Sequence, residues 1–366
     1  AKLRNQQGGA ALAKGQTDAA LLHYAKAVEL FTRLTEQHGR GDLAGALAKS
    51  HGHRGDAFLV LGKPEAALAH YAKALEILTR LAVRPGGSDL AASHTAVGNA
   101  LLSQQKFDAI IAHYDQAIEI QSRLVAPEGR GELAVDLALT HNNRGVIRRA
   151  QGKPGAALAD FDAAIKILKM LLDQPEAVQT NGGATRLVKV DVIIGLSEKD
   201  VDVQTRPRTG PAGRKELAVI LGMVFKNRGH AHTAHGKPEG AIADFKQAAE
   251  IFTRLVEQEG QEDLTLQLAM SLSPLAWIQA TSPDPAFRDG GKARENALKA
   301  CALSTTFGPL QSLAAACAET GNYADAVKWQ QTALQLAPRE DQAEARSRLG
   351  LYQSGKPYRI PPPKAG

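Results

Sequence analysis

Histidine is the residue type in this chain that is best suited to metal or proton chemistry, and the sequence contains 11 histidines. Three of them, His230, His232 and His235, lie close together. Residues three or four positions apart share one face of a helix, and only His232 and His235 have that spacing. A zinc site needs three or four ligands, and no carboxylate is placed to complete the set. The sequence therefore predicts packed or solvated histidines and no metal site.

Sequence motifs of catalysis are missing as well. The chain has no glycine-rich phosphate loop, no nucleophile elbow and no HExxH motif. Its grouped acids Glu259, Glu262 and Asp263 fall in a polar connection, where solvated carboxylates are expected. We therefore predict that the protein is not an enzyme and binds no cofactor.

Two arginines occupy equivalent places and indicate ion pairs. Arg144 precedes Asp160 by sixteen residues, and Arg228 precedes Asp244 by the same interval. A half-buried guanidinium group needs a partner. Each pair is therefore predicted to join two helices.

Composition excludes several classes of function. The 44 Lys and Arg residues exceed the 38 Asp and Glu residues by 6, and this excess is spread along the chain, so no nucleic-acid partner is predicted. No apolar stretch reaches 18 residues, so no membrane span is predicted. The chain begins at Ala1 rather than methionine, which leaves secretion open and predicts no compartment.

The elements that carry these residues are repeated segments. Related copies such as "LGKPEAALAHYAKALEILTRL" and "HGKPEGAIADFKQAAEIFTRL" begin at Lys14, Leu61, Gln104, Gln151 and His235. In the second copy, Gly62 is suited to end one helix and Pro64 to begin the next. One apolar stripe then follows at helical spacing: Ala67, Tyr71, Ala74, Leu78 and Leu81. Each copy is thus predicted to be part of a helical hairpin.

These residues resemble the tetratricopeptide repeat family. The family signature of a first-helix glycine and large residue, a turn glycine, and then alanine, aromatic and alanine is matched by Gly55, Phe58, Gly62, Ala67, Tyr71 and Ala74. The third copy departs at Gln105 and Ile110, which predicts a looser hairpin there. The C-terminal run resembles the closing segment of bacterial members of the family and indicates a polar cap.

The resemblance implies an all-α fold, a right-handed α-solenoid of about six or seven hairpins interrupted by one insert. The period, from Ala20 to Ala67 for example, exceeds the family's usual value of about 34 residues, which predicts elongated helices. The predicted segments are N-terminal repeats (1–179), the insert (180–212), a further repeat (213–272), degenerate and last repeats with the cap (273–352), and a proline-rich tail (353–366).

The insert is distinguished by alternating apolar residues. Alternation in "TRLVKVDVIIGLSEKDVDVQTRP" is typical of strands, and "GLSEKD" has turn composition. We therefore predict a β-hairpin-like insert. It is either a surface elaboration or an assembly arm over 184–208 whose apolar residues are Val188, Val190, Val192, Ile194, Val201 and Val203.

Family analogy implies that the solenoid's inner wall, lined by first helices, binds a protein or peptide partner. The residues predicted to face outward from that wall are Lys49, Asp56, Asn99, Asn142, Arg149, Lys226 and His230. The predicted function is a non-enzymatic protein–protein interaction scaffold. The alternative is a self-assembling structural subunit, a homo-oligomer or filament, joined through the insert.

Overall fold

The computed structural model describes residues 1–81, 87–128, 131–173, 188–192, 201–205 and 213–361. The helices up to the insert are α1 (Lys2–Ala13), α2 (Thr17–Glu36), α3 (Ala44–Val60), α4 (Pro64–Leu81), α5 (Gly87–Ala100), α6 (Phe107–Glu128), α7 (Gly131–Ala150) and α8 (Pro154–Leu172). Those after it are α9 (Arg214–Ala234), α10 (Pro238–Thr253), α11 (Thr265–Thr281), α12 (Gly290–Leu303), α13 (Phe307–Glu319), α14 (Tyr323–Leu336) and α15 (Gln342–Gln353).

Glycine turns separate the two helices of several hairpins. Gly62 has a φ of 67°, in the left-handed region that a side chain disfavours, and Pro64 begins α4 directly after it. The third copy makes the same turn without glycine, because Gln105 adopts a φ of 52°. Ile110 is nevertheless fully buried. The departure from the signature at Gln105 is therefore accommodated as backbone strain.

Large aromatic rings of the second helices pack onto glycines of the first. The ring of Tyr71 on α4 lies against Gly55 on α3, and Tyr114 on α6 lies against Gly98 on α5. Both rings are almost completely buried. The signature glycine and aromatic are thus two halves of one contact, since any side chain on the glycine would occupy the space of the ring.

The chain forms two compact units. The N-terminal unit contains α1 to α7 and the C-terminal unit contains α8 to α15. Each is a stack of helices of the α-solenoid type. The predicted elongation of the helices is visible in α3, α4 and α6, which have 17, 18 and 22 residues. The segment boundaries given above remain predictions.

Two short strands, β1 (Val188–Val192) and β2 (Val201–Thr205), pair antiparallel with Val190 opposite Val203. Residues 174–187, 193–200 and 206–212 lie outside the described residues, as does Ile194. The hairpin predicted over 184–208 therefore stays a prediction. No helix in the described ranges is both long enough and apolar enough to cross a bilayer.

Candidate functional site

Residues of α1, α2, α3 and α5 line an open cleft of about 510 Å³ in the N-terminal unit. Its lining comprises Lys2, Asn5, Gln6, Phe31, Gly45, Ala46, Lys49, His53 and Asp89. Lys49 and His53 are four residues apart on α3, so both side chains project from one helix face. The cleft therefore combines an aromatic floor with polar groups of both charges.

The basic groups of the cleft are exposed, and each lies near a carboxylate. The Nζ atom of Lys49 lies 3.2 Å from Oδ2 of Asp89, and the lysine side chain is 55% exposed. The Nδ1 atom of His53 lies 3.9 Å from Oδ2 of Asp56, and its ring stacks on Tyr24 with 5.6 Å between ring centroids. Burial, and secondly the charge of Asp56, raise the pKa of Tyr24 to about 12. The rim of the cleft can therefore exchange its ion pairs for a ligand at little cost.

Asn5 is a half-buried residue of the cleft lining. Its Nδ2 atom donates to Oγ of Ser50 at 2.8 Å, and this bond fixes the orientation of the amide. Its Oδ1 atom is buried and receives no hydrogen bond from the described residues. The amide is therefore held by Ser50, and its oxygen is not accessible to a ligand in this conformation.

Three of the seven inner-wall residues predicted from the sequence are buried, which corrects their expected exposure. Asn99 is 2% exposed, Asn142 is fully buried, and Lys226 is 2% exposed. Nζ of Lys226 donates to Oε1 of Gln267 on α11 at 2.7 Å. These three side chains are therefore packed within the protein rather than presented to solvent.

Asp56 and Asn99 have a structural partner that sequence reasoning missed. The hydroxyl of Tyr71 donates to Oδ1 of Asp56 at 2.7 Å, and that of Tyr114 donates to Oδ1 of Asn99 at 2.6 Å. The interval is fifteen residues in both cases. The sequence contains a pattern that indicates these bonds. In both hairpins the residue directly after the signature glycine is a hydrogen-bond acceptor, and a tyrosine stands fifteen residues after that acceptor.

The remaining predicted residues are accessible. Lys49 lines the cleft, and the side chain of Asp56 is 54% exposed at its edge. Arg149 on α7 is half-buried. His230 on α9 is half-buried too and meets the ring of Phe245 edge-on at 4.9 Å. A role for these residues in partner binding remains a prediction.

Two histidine pairs bridge first and second helices of the N-terminal unit. Nδ1 of His51 lies 3.0 Å from Nδ1 of His70, and the same distance separates Nδ1 of His94 from Nδ1 of His113. One imidazole must donate and the other accept, so each pair is compatible with two neutral rings but not with two charged ones. Burial lowers the pKa of His70 and of His94 to about 4.

In the C-terminal unit an arginine of α9 forms an ion pair with an aspartate of α10. Arg228 binds Asp244 through two hydrogen bonds, of 2.8 Å from Nε and 2.6 Å from Nη2, which confirms the ion pair predicted from the sixteen-residue interval. Arg144 contacts Asp115 at 2.6 Å within the N-terminal unit. Since Asp160 belongs to the other unit, its pairing with Arg144 stays a prediction.

The hairpins and their glycine–aromatic contacts define an α-solenoid repeat protein. Residues 46–123, from α3 into α6, match the family model described as tetratricopeptide repeat. This part of the chain therefore carries tetratricopeptide repeats.

Solved structures with a similar fold include a signal transduction ATPase with numerous domains from Pyrococcus horikoshii, which has a tetratricopeptide repeat sensor. It shares 12% identity, the alignment covers 95% of this chain and 44% of that chain, and the TM-score is 0.59. This chain therefore spans less than half of that protein, and the likeness concerns the fold.

Two weaker likenesses are to BtubC (BKLC) from P. vanneervenii and to MamA. The first has 13% identity, covers 96% of both chains and has a TM-score of 0.45. The second has 14% identity, covers 70% of this chain and 94% of that chain, and has a TM-score of 0.38. No curated protein matches this sequence.

Proposed function

We propose that this protein is a non-enzymatic protein–protein interaction scaffold whose N-terminal cleft binds an extended segment of a partner. The observation that carries the proposal is the cleft itself, where Lys49, His53 and Asp89 surround the apolar surface of Phe31 and Ala46. An extended peptide complements this lining, because its carboxylate groups can pair with Lys49 and its polar groups can bond to His53.

Peptide selection by the purified chain tests the proposal. A random peptide library is panned against the protein, and the affinities of selected peptides are measured by fluorescence anisotropy. Lys49→Glu is expected to weaken binding at least tenfold. Lys26→Glu is the matched control, because Lys26 is similarly exposed, has a carboxylate partner 2.9 Å away, and does not line the cleft. Equal effects of the two substitutions would refute the assignment of the cleft.

A second candidate function is self-assembly through the insert. The pairing of Val190 with Val203 favours a β-hairpin over 184–208, and a two-stranded sheet offers edges that accept further strands. The proposed arm comprises Val188, Val190, Val192, Ile194, Val201 and Val203. Molar mass is measured by light scattering over a hundredfold concentration range, with and without residues 184–208. Assembly that survives the deletion refutes the arm.

A further inference from the structure

The C-terminal strap, residues 356–361, lies against helices of its own unit. The helix α15 ends at Gln353, and Gly355 reverses the chain with a φ of 67°. The N–H of Lys356 then donates to the carbonyl of Leu351 at 3.0 Å, which completes the helix cap. Beyond this cap the strap has no regular secondary structure.

Tyr358 binds a surface built from α11 and α15. Its ring lies 5.6 Å from that of Trp277, and the guanidinium of Arg348 lies 5.2 Å from the Trp277 ring and 5.5 Å from the Tyr358 ring. The tyrosine hydroxyl donates to Oε1 of Glu344 at 3.1 Å. Cation–π contacts strengthen when the cation is desolvated, and the side chain of Arg348 is only 4% exposed. This position of the strap is therefore specific for an aromatic ring with a hydroxyl group.

Arg359 and Ile360 bind the C-terminal end of α11 and a carboxylate of α13. Nη2 of Arg359 lies 2.6 Å from Oε2 of Glu319, and its Nη1 donates to the carbonyl of Ala280 at 3.2 Å. The N–H of Ile360 donates to the carbonyl of Thr281 at 2.9 Å. The last carbonyls of a helix have no partner within the helix and carry a partial negative charge. A cation followed by a free N–H is the complement of such an end.

The receiving surface is held in place by bonds that do not involve the strap. We name it the strap surface: Trp277, Ala280, Thr281, Glu319, Glu344 and Arg348. Arg348 is fixed by Glu344 at 2.8 Å, and Glu319 is fixed by Nε of Arg288 at 3.0 Å. The surface is thus organised before it is occupied, which reduces the entropic cost of binding.

The strap itself is only partly buried. Residues 357–360 are half-buried, Lys356 and Pro361 are exposed, and the side chain of Arg359 is 33% exposed. Tyr358 covers the edge of a buried cluster that includes Ala276, Leu313 and Tyr352. Release of the strap exposes this apolar edge, so an empty surface favours a new occupant with the same chemistry.

We propose that the strap surface is a recognition site for extended segments of partner proteins with the sequence tyrosine–arginine–aliphatic residue, and that the strap is its resident, displaceable occupant. The site lies in the C-terminal unit and does not depend on the N-terminal cleft. A partner segment competes with a tethered one, whose effective concentration is about millimolar for a short flexible connection. Binding in trans is therefore suppressed until the strap is released.

A labelled peptide "GKPYRIPPP", the sequence of residues 355–363, tests the proposal on the full chain. Tyr358→Ala with Arg359→Ala frees the surface without shortening the protein. The double variant is expected to bind the peptide at least tenfold more tightly than the wild type, as measured by anisotropy. A peptide with alanine in place of its tyrosine and arginine is expected not to bind. Adding Glu319→Gln is expected to abolish binding, whereas Glu295→Gln, which alters an exposed carboxylate of the same unit, leaves it unchanged.

Three results would overturn the proposal. The proposal is refuted if the double variant does not bind the peptide. The single variant Arg359→Ala is measured in parallel, so that a defect caused only by combining the two substitutions is recognised. Loss of the helical signal of the C-terminal unit in both variants shows that the strap is a structural cap. If the molar mass of the wild type doubles with increasing concentration and the peptide reverses this doubling, the surface binds the strap of a second copy instead of a partner protein.

Discussion

Replacing Gly55 by alanine is expected to destabilise the hairpin of α3 and α4, although the same change stabilises most helices. A Cβ atom at this position would lie 2.5 Å from Cε1 of Tyr71 and 2.8 Å from Cδ1 and Cζ. The ring cannot retreat, because it is 1% exposed and its hydroxyl is bonded to Asp56. The substitution therefore forces two helices apart.

The magnitude follows from two opposing effects. Overpacking of a core costs about 1–3 kcal/mol, and a clash with an immobile ring lies in the upper part of that range. Alanine gains about 1 kcal/mol over glycine in a helix interior. The expected net loss is about 1–2 kcal/mol. Gly52→Ala is the matched control, because Gly52 lies on the same helix with no atom near its added Cβ. It is expected to stabilise the hairpin by about 0.5–1 kcal/mol.

Amide hydrogen exchange of α3 and α4 is the appropriate assay, because stacked repeats open locally rather than in one step. Gly55→Ala should accelerate exchange about 5- to 30-fold, and Gly52→Ala should slow it. A second background isolates the cause. Tyr71→Ala alone is expected to cost about 3–5 kcal/mol. In that background Gly55→Ala should no longer destabilise, because the ring is gone. An undiminished loss there would refute the steric explanation and the register on which it rests.

Three further outcomes are expected. The N-terminal unit should lose stability as the pH falls from about 6.5 towards 4. The pKa of His70 and of His94 is lowered to about 4 in the folded state, so the unfolded chain takes up protons first. Replacing both histidines by asparagine should make the melting temperature depend less on pH over this interval. Gln105→Gly should stabilise the α5–α6 hairpin by about 1 kcal/mol in urea unfolding, since the native φ is positive. Arg228→Met should cost about 3 kcal/mol, and much less when combined with Asp244→Leu, because the Asp244 carboxylate is 3% exposed and would keep only His232, whose Nε2 lies 3.6 Å away, as a basic partner.

Contacts within a hairpin could be predicted from the sequence because short turns fix the pairing of its helices. The turn at Gly62 places Tyr71 opposite Gly55, and the same geometry places Asp244 opposite Arg228. In each case the interval is sixteen residues, set by one turn and two helix lengths. Such intervals can be counted without knowing how hairpins stack.

Contacts between hairpins could not be predicted in this way. Lys226 bonds to Gln267, which lies 41 residues later, and the rotation of one hairpin on the next decides whether such a side chain faces solvent or a neighbour. The contacts of the strap could not be predicted for the same reason, because Arg359 and Ala280 are 79 residues apart and the repeat period does not relate them. Predicting the cleft would also have required the stacking of the hairpins, because Asn5 and Asp89 belong to different hairpins.

Equivalent positions of the repeats are held by different interactions in the two units, and this difference has a functional consequence. The place taken by His70 in the N-terminal unit is taken by Asp244 in the C-terminal unit, where the partner is a permanently charged arginine. Mild acid therefore acts on the histidine pairs and leaves the arginine pair intact. The proposed cleft lies in the unit that carries the histidine pairs, and the strap surface lies in the other. If both proposals hold, peptide binding at the cleft weakens as the pH falls from 6.5 to about 5, whereas binding at the strap surface, which contains no histidine, persists over this interval.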